Sequence, residues 1–97
     1  MRLTAEQIAA IRRTTAEIFG ANARVWLFGS RVDDGGIGGD IDLLIETDTK
    51  AELRRTLSAQ ARLEQLLGAP VDLITCSPHQ AQRPIERIAR LTGVPLT

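Results

Sequence analysis

Residues 25–30 read VWLFGS and residues 39–46 read GDIDLLIE. In the first stretch Val25 to Phe28 form a short, unbroken run of β-branched, aromatic and aliphatic side chains. Such a run is what a strand covered on both faces needs, so a strand is expected from Arg24 to Phe28, stopped by Gly29-Ser30. In the second stretch Ile41, Leu43, Leu44 and Ile45 crowd within strand length, which predicts a strand from Asp40 to Glu46. Between Arg31 and Gly39 four glycines and two aspartates show no sustained period, the composition of a loop with one irregular turn.

Upstream, Thr4 followed by Gln7 makes a capping box, and Leu3 and Ile8 stand where a hydrophobic staple needs them. Ile8, Ile11, Thr15, Ile18 and Phe19 keep helical spacing until Gly20. Downstream, Thr49 and Glu52 make a second capping box for a helix whose Leu53, Leu57, Ala61 and Leu67 approximate one face, with Gly68 and Pro70 ending it. A third strand is expected from Val71 to Thr75, then a loop over 77–82, a helix from Pro84 to Thr92 closed by Gly93, and a short edge strand over Val94 to Leu96. The order predicts an α/β (α+β) fold, a small mixed sheet flanked by helices, in one domain spanning residues 1–97.

Composition narrows the function classes. Twelve basic residues balance twelve acidic ones, so an extended nucleic-acid surface is not expected, although a local phosphate site is compatible with neutrality. A single cysteine, Cys76, excludes an intrachain disulfide, and the N-terminus has no apolar run of the kind that makes a signal peptide or membrane span. A soluble cytoplasmic protein is the expectation. The small surface leaves room for a homo-oligomer or a partner protein.

The chemistry concentrates in the aspartates. Alternate strand residues share a face, so Asp40 and Asp42 project together and repel one another unless a cation lies between them. A hard divalent cation removes that conflict, and magnesium favours carboxylates completed by substrate phosphates. Gly29 allows close backbone approach, and Ser30 offers a hydroxyl and an N–H to phosphate oxygens. Asp72 lies between Val71 and Leu73, where a charge is costly unless it is paired or stands at a strand end. If its strand lies beside the second strand, it joins the other two at a two-metal centre. Arg31 is a secondary candidate for phosphate, with an ion pair to Asp33 or Asp34 as the plainer reading. Simpler roles exist for the others too: Asp40 and Asp42 as turn formers, Asp72 as an exposed strand-end charge and Ser30 as a turn serine.

Taken as a set, Gly29-Ser30, then Gly39-Asp40-Ile41-Asp42-Leu43, then Val71-Asp72-Leu73-Ile74 resembles the polymerase-beta-like nucleotidyltransferases in their minimal form, similar to the antitoxin half of HEPN/MNT toxin–antitoxin pairs. The ending, Ile85 to Ala89 through Gly93-Val94, looks like the family's last helix and terminal strand. The resemblance implies that Gly29 and Ser30 hold the triphosphate of ATP or another NTP. It implies that Asp40 and Asp42 bridge two magnesium ions and that Asp72 ligates the catalytic ion and helps activate an acceptor hydroxyl. In the antitoxin subfamily it implies transfer of AMP to a tyrosine of a HEPN-like partner. The alternative is a catalytically idle antitoxin that neutralises its partner by binding; a transferase for small molecules such as aminoglycosides fits less well, because no separate acceptor domain is present. His79 and Cys76 have no partners at metal-ligand or nucleophile spacing and read as structural, and Arg12-Arg13 and Arg54-Arg55 read as solvated helix faces.

Overall fold

Local sequence signals set the ends of the first elements. Thr4 Oγ1 accepts from Gln7 N (3.1 Å) and Gln7 Oε1 accepts from Thr4 N (2.9 Å), so the expected capping box opens helix α1 (Ala5–Phe19). The computed structural model describes residues 3–32, 39–48, 51–78 and 82–97, with the side chain of Ser30 outside that set. Among the described residues, α1 is followed by strand β1 (Arg24–Phe28), a 3-10 turn (Gly29–Val32), β2 (Ile41–Glu46), α2 (Leu53–Leu67), β3 (Val71–Cys76), α3 (Pro84–Thr92) and β4 (Val94–Pro95). Most of the glycine loop, Thr49 and His79 lie outside the described residues.

The sheet order is β3-β2-β1-β4, with β1 antiparallel to β2 and β4, and β2 parallel to β3. The expected mixed sheet is therefore present, and α2 supplies the crossover that a parallel pair requires. On one face Val25, Leu27, Ile41, Leu43, Ile45 and Val71 pack with Ile11 of α1 and with Leu63 and Leu67 of α2. On the other, Phe28, Leu44 and Cys76 meet Ala89 of α3, with Trp26 and Ile74 at the margin. Central β2 is covered on both sides, which is why its apolar run is continuous rather than alternating.

Helix α2 departs from the expected phase. It starts at Leu53 with Glu52 as N-cap and no side-chain cap bond, so Glu52 does not act as the third helical residue of a box. Its buried row is Ala59, Leu63 and Leu67, while Leu53 and Leu57 are 73% and 55% exposed. Both rows have a four-residue spacing, and periodicity alone does not choose between them. Leu67, in the last turn before the chain enters β3, must meet the core, and stepping back from it by one turn gives Leu63 and then Ala59.

Helix α3 is fixed over its face of the sheet by ions as well as by Ala89. Arg83 pairs with the buried Glu86 (2.6 Å) and donates from Nη2 to Thr75 O (3.1 Å). Arg90 donates to Glu46 Oε2 (2.5 Å) and to Cys76 Sγ (3.2 Å), with its guanidinium 5.8 Å from the centre of the Trp26 ring. Burial raises the Cys76 thiol above its ordinary pKa, and Arg90 opposes that rise only in part.

Gly93 ends α3 in an extended conformation, not the left-handed one that a helix-closing glycine often adopts. Its role is contact: a methyl group there would stand 2.2 Å from Ala89 O and 2.8 Å from Leu27 O, both backbone atoms that yield little. Gly93→Ala is therefore expected to lower stability by about 1–3 kcal/mol through overpacking. Chemical denaturation of the two proteins checks this.

Candidate catalytic carboxylate site

Strand directions gather the aspartates. Because β1 runs antiparallel to β2 and β2 parallel to β3, the end of β1 and the starts of β2 and β3 share one end of the sheet. Asp42 pairs with Phe28 on one side and with Asp72 on the other. Asp40 directly precedes β2. By alternation Asp42 and Asp72 occupy the face that carries Phe28, Leu44 and α3. Helix α3 covers the far end of that face: Asp42 is half-buried, and Asp40 and Asp72 are exposed.

The carboxylates are coupled. The Asp42 pKa is raised above the usual carboxylate value, first by burial, then by hydrogen bonding with Asp72 and the negative charges of Asp72 and Asp40. Asp72, across the strand pair, is thus a closer partner to Asp42 than Asp40, which acts on it through charge alone. Gly29 makes this packing possible. Its φ is +77°, a conformation that disfavours side chains, and a methyl group there would lie 2.1 Å from Asp42 Oδ2. The space its missing side chain leaves is taken by the Asp42 carboxylate. A glycine directly after a strand is a visible signal, but this partner depends on the β1–β2 register.

Ser30 and Arg31 lie in the 3-10 turn at the same end of the sheet. Arg31 Nη2 donates to Gly39 O (2.9 Å), joining that turn to the residue before Asp40 across the base of the loop. Asp33 and Asp34, the other contacts considered for it, lie outside the described residues. Two grooves, of about 650 and 870 Å³, are elsewhere. The first is lined by Phe19, Glu52 and Arg55 among others, the second by Arg24, Trp26 and Glu46 at the opposite end of the sheet. We give precedence to the carboxylate end, since neither groove holds a set of groups that points to a reaction.

Among the described residues no three His, Cys, Asp or Glu side chains form a ready metal cage. Two carboxylates paired across neighbouring strands with a third beside them are nonetheless a donor set that suits a hard divalent cation, provided a phosphate-bearing ligand completes the coordination.

A small mixed sheet thus opens β2 and β3 with paired carboxylates beside a Gly-Ser turn. Residues 8–92 match the model of the nucleotidyltransferase domain, and the chain belongs to that family. Its general chemistry is nucleotidyl transfer. No curated protein sequence matches the chain. Among the described residues no helix is long and apolar enough to cross a membrane.

Two substitutions probe the site. A carboxyl whose folded pKa is raised contributes stability that is complete below its unfolded pKa and is lost as pH rises through the folded one. Asp42→Asn is therefore expected to raise the melting temperature of the metal-free protein by a few degrees at pH 7, the advantage disappearing below the ordinary carboxylate range; melts at pH 7 and pH 3 check the sign. Gly29→Ala is expected to destabilise by about 1–3 kcal/mol through strain at positive φ alone, and more where Asp42 is displaced.

Proposed function

We propose that this domain is a magnesium-dependent nucleotidyltransferase that moves AMP from ATP to a hydroxyl group, with a tyrosine of a HEPN-like partner protein as the acceptor. The observation that carries this reading is the pairing of Asp42 with Asp72 on neighbouring parallel strands, with Asp40 beside them and the Gly29-Ser30 turn at the same end. Carboxylates crowded together at one strand end are poor structural elements and good cation ligands.

Asp40, Asp42 and Asp72 would hold the magnesium, which when bound neutralises the triphosphate charge and supports the leaving pyrophosphate. The main-chain N–H groups of the Gly29-Ser30 turn would donate to the triphosphate. Arg31, tied to Gly39 O, braces the loop that leads into Asp40. Asp72 is exposed, so an acceptor can reach it, and its carboxylate takes the hydroxyl proton as the oxygen attacks the α-phosphorus. A bond forms between acceptor oxygen and phosphorus, the bond to the β-phosphate oxygen breaks, and pyrophosphate leaves with its electron pair.

Incubation with α-labelled ATP, magnesium and a HEPN-like protein tests the proposal. Label is expected on the partner, and Asp72→Asn should reduce labelling at least about 100-fold while leaving the complex intact. Label that survives Asp72→Asn would remove Asp72 from the reaction. A complex that forms without label under any magnesium concentration would favour the idle antitoxin.

A further inference from the structure

Strand β3 is an edge strand, and its hydrogen-bonding groups divide in a regular way. Ile41 N donates to Pro70 O (2.9 Å) and Thr47 N to Cys76 O (2.9 Å), so the even-numbered residues of β3 turn their backbone groups toward β2. The odd-numbered residues, Val71, Leu73 and Thr75, turn theirs outward. Two side chains cover the ends of that outward row: Glu64 Oε2 accepts from Val71 N (3.0 Å), and Arg83 Nη2 donates to Thr75 O (3.1 Å). Between them, among the described residues, no side chain reaches the N–H or C=O of Leu73.

The flank of α2 beside this edge carries two exposed leucines. Glu64 reaches Val71 from α2, and one helical row back from Glu64 passes Gln60 to Leu57 and Leu53, two of the large aliphatic side chains left exposed. On the opposite face of the same strand stands Asp72. Its backbone faces β2, so on the outer side it occupies the position where an antiparallel neighbour makes no hydrogen bonds and side chains come closest, with Cβ atoms about 4.5–5.5 Å apart.

We propose that the acceptor is delivered as an extended polypeptide segment that adds to the free edge of β3 antiparallel to it, with its hydroxyl-bearing residue directly across from Asp72. This rests on the transferase reading above and names the form of its substrate. In this register the residues on either side of the hydroxyl residue turn to the other face, where Leu73, Leu57 and Leu53 select apolar side chains. The segment's N-terminal part passes Arg83 and its C-terminal part passes Glu64, which favours acidic residues before the hydroxyl and basic ones after it. Main-chain pairing supplies the docking, and the alternating side chains supply the selection. A second copy of this chain is a poorer occupant: pairing two β3 edges about Leu73 sets Ile74, which has no hydroxyl, directly across from Asp72.

The probe is a synthetic peptide with a central tyrosine between two valines, acidic N-terminal residues and basic C-terminal ones. Titrated into the full chain with magnesium and ATP and followed by amide NMR, it is expected to shift and protect the amides of Leu73 and Thr75 and the Leu53 and Leu57 side chains. Leu73→Pro removes one outward N–H and leaves the ladder to β2 untouched, and is expected to weaken peptide binding about fivefold or more. Leu57→Asp, at an exposed position, is expected to weaken it without touching the strand, so the proposal stays testable if the proline variant folds poorly. Both variants should retain ATP binding. Peptide shifts centred elsewhere, no shifts at millimolar peptide, or undiminished binding by both variants would overturn the docking mode. Because docking is read without transfer, a peptide that binds at β3 but takes no label would leave the edge site standing and count against the transferase reading alone.

Discussion

Asp42 and Asp72 sit side by side on adjacent parallel strands, an arrangement that works against folding at neutral pH. The rest of the domain is arranged so that this pair can exist. The β2–β3 ladder that fixes it runs six residues and is backed by Ile41, Leu43, Ile45 and Val71, all at most 1% exposed. Burial of one such aliphatic side chain contributes about 1.5–3 kcal/mol, so a few of them outweigh the repulsion of two partly solvated carboxylates. The conflict is placed at the strand starts, where one of the two remains open to solvent, and a glycine in place of a side chain gives the other its room.

The same economy governs the opposite face. Helix α3 leaves the carboxylate end uncovered, yet it must stay docked on the sheet although its own contribution to the buried cluster is the small side chain of Ala89. Arg83 with Glu86 and Thr75 O, and Arg90 with Glu46, Cys76 and Trp26, fasten it toward the far end of the strands. Partly buried ion pairs with several hydrogen bonds are more useful for fixing one arrangement than for adding net stability. Here they set where the helix stops and the open face begins.

Much of this was readable in the residues. The Thr4/Gln7 capping box, the span of β1 and the limits of α3 rest on local chemistry, and local chemistry is what a sequence states directly. The strand that carries Asp40 and Asp42 was expected to begin at Asp40; it begins at Ile41, a difference at a strand end where pairing, not composition, decides. Of the face expected for α2, Leu67 is buried but Leu53, Leu57 and Ala61 are not, because the Leu53-Leu57 and Leu63-Leu67 rows are equally good helical rows and only the sheet distinguishes them. That Asp72 lies beside Asp42 was conditional on strand order, which a single sequence does not encode locally. The contacts of Gly29 with Asp42 and of Arg31 with Gly39 O depend on register and loop closure, so no spacing rule could have supplied them.

Cys76 gives the ionic anchoring of α3 a further significance. It is the chain's single cysteine, 2% exposed, lying under the helix and against Arg90. A buried thiol with a raised pKa reacts with a modifying reagent only during the moments when its cover lifts. The unmodified protein therefore contains its own clock for the opening of α3. Its rate of thiol modification reports how often that helix leaves the sheet, and its dependence on salt reports how much of the docking is ionic.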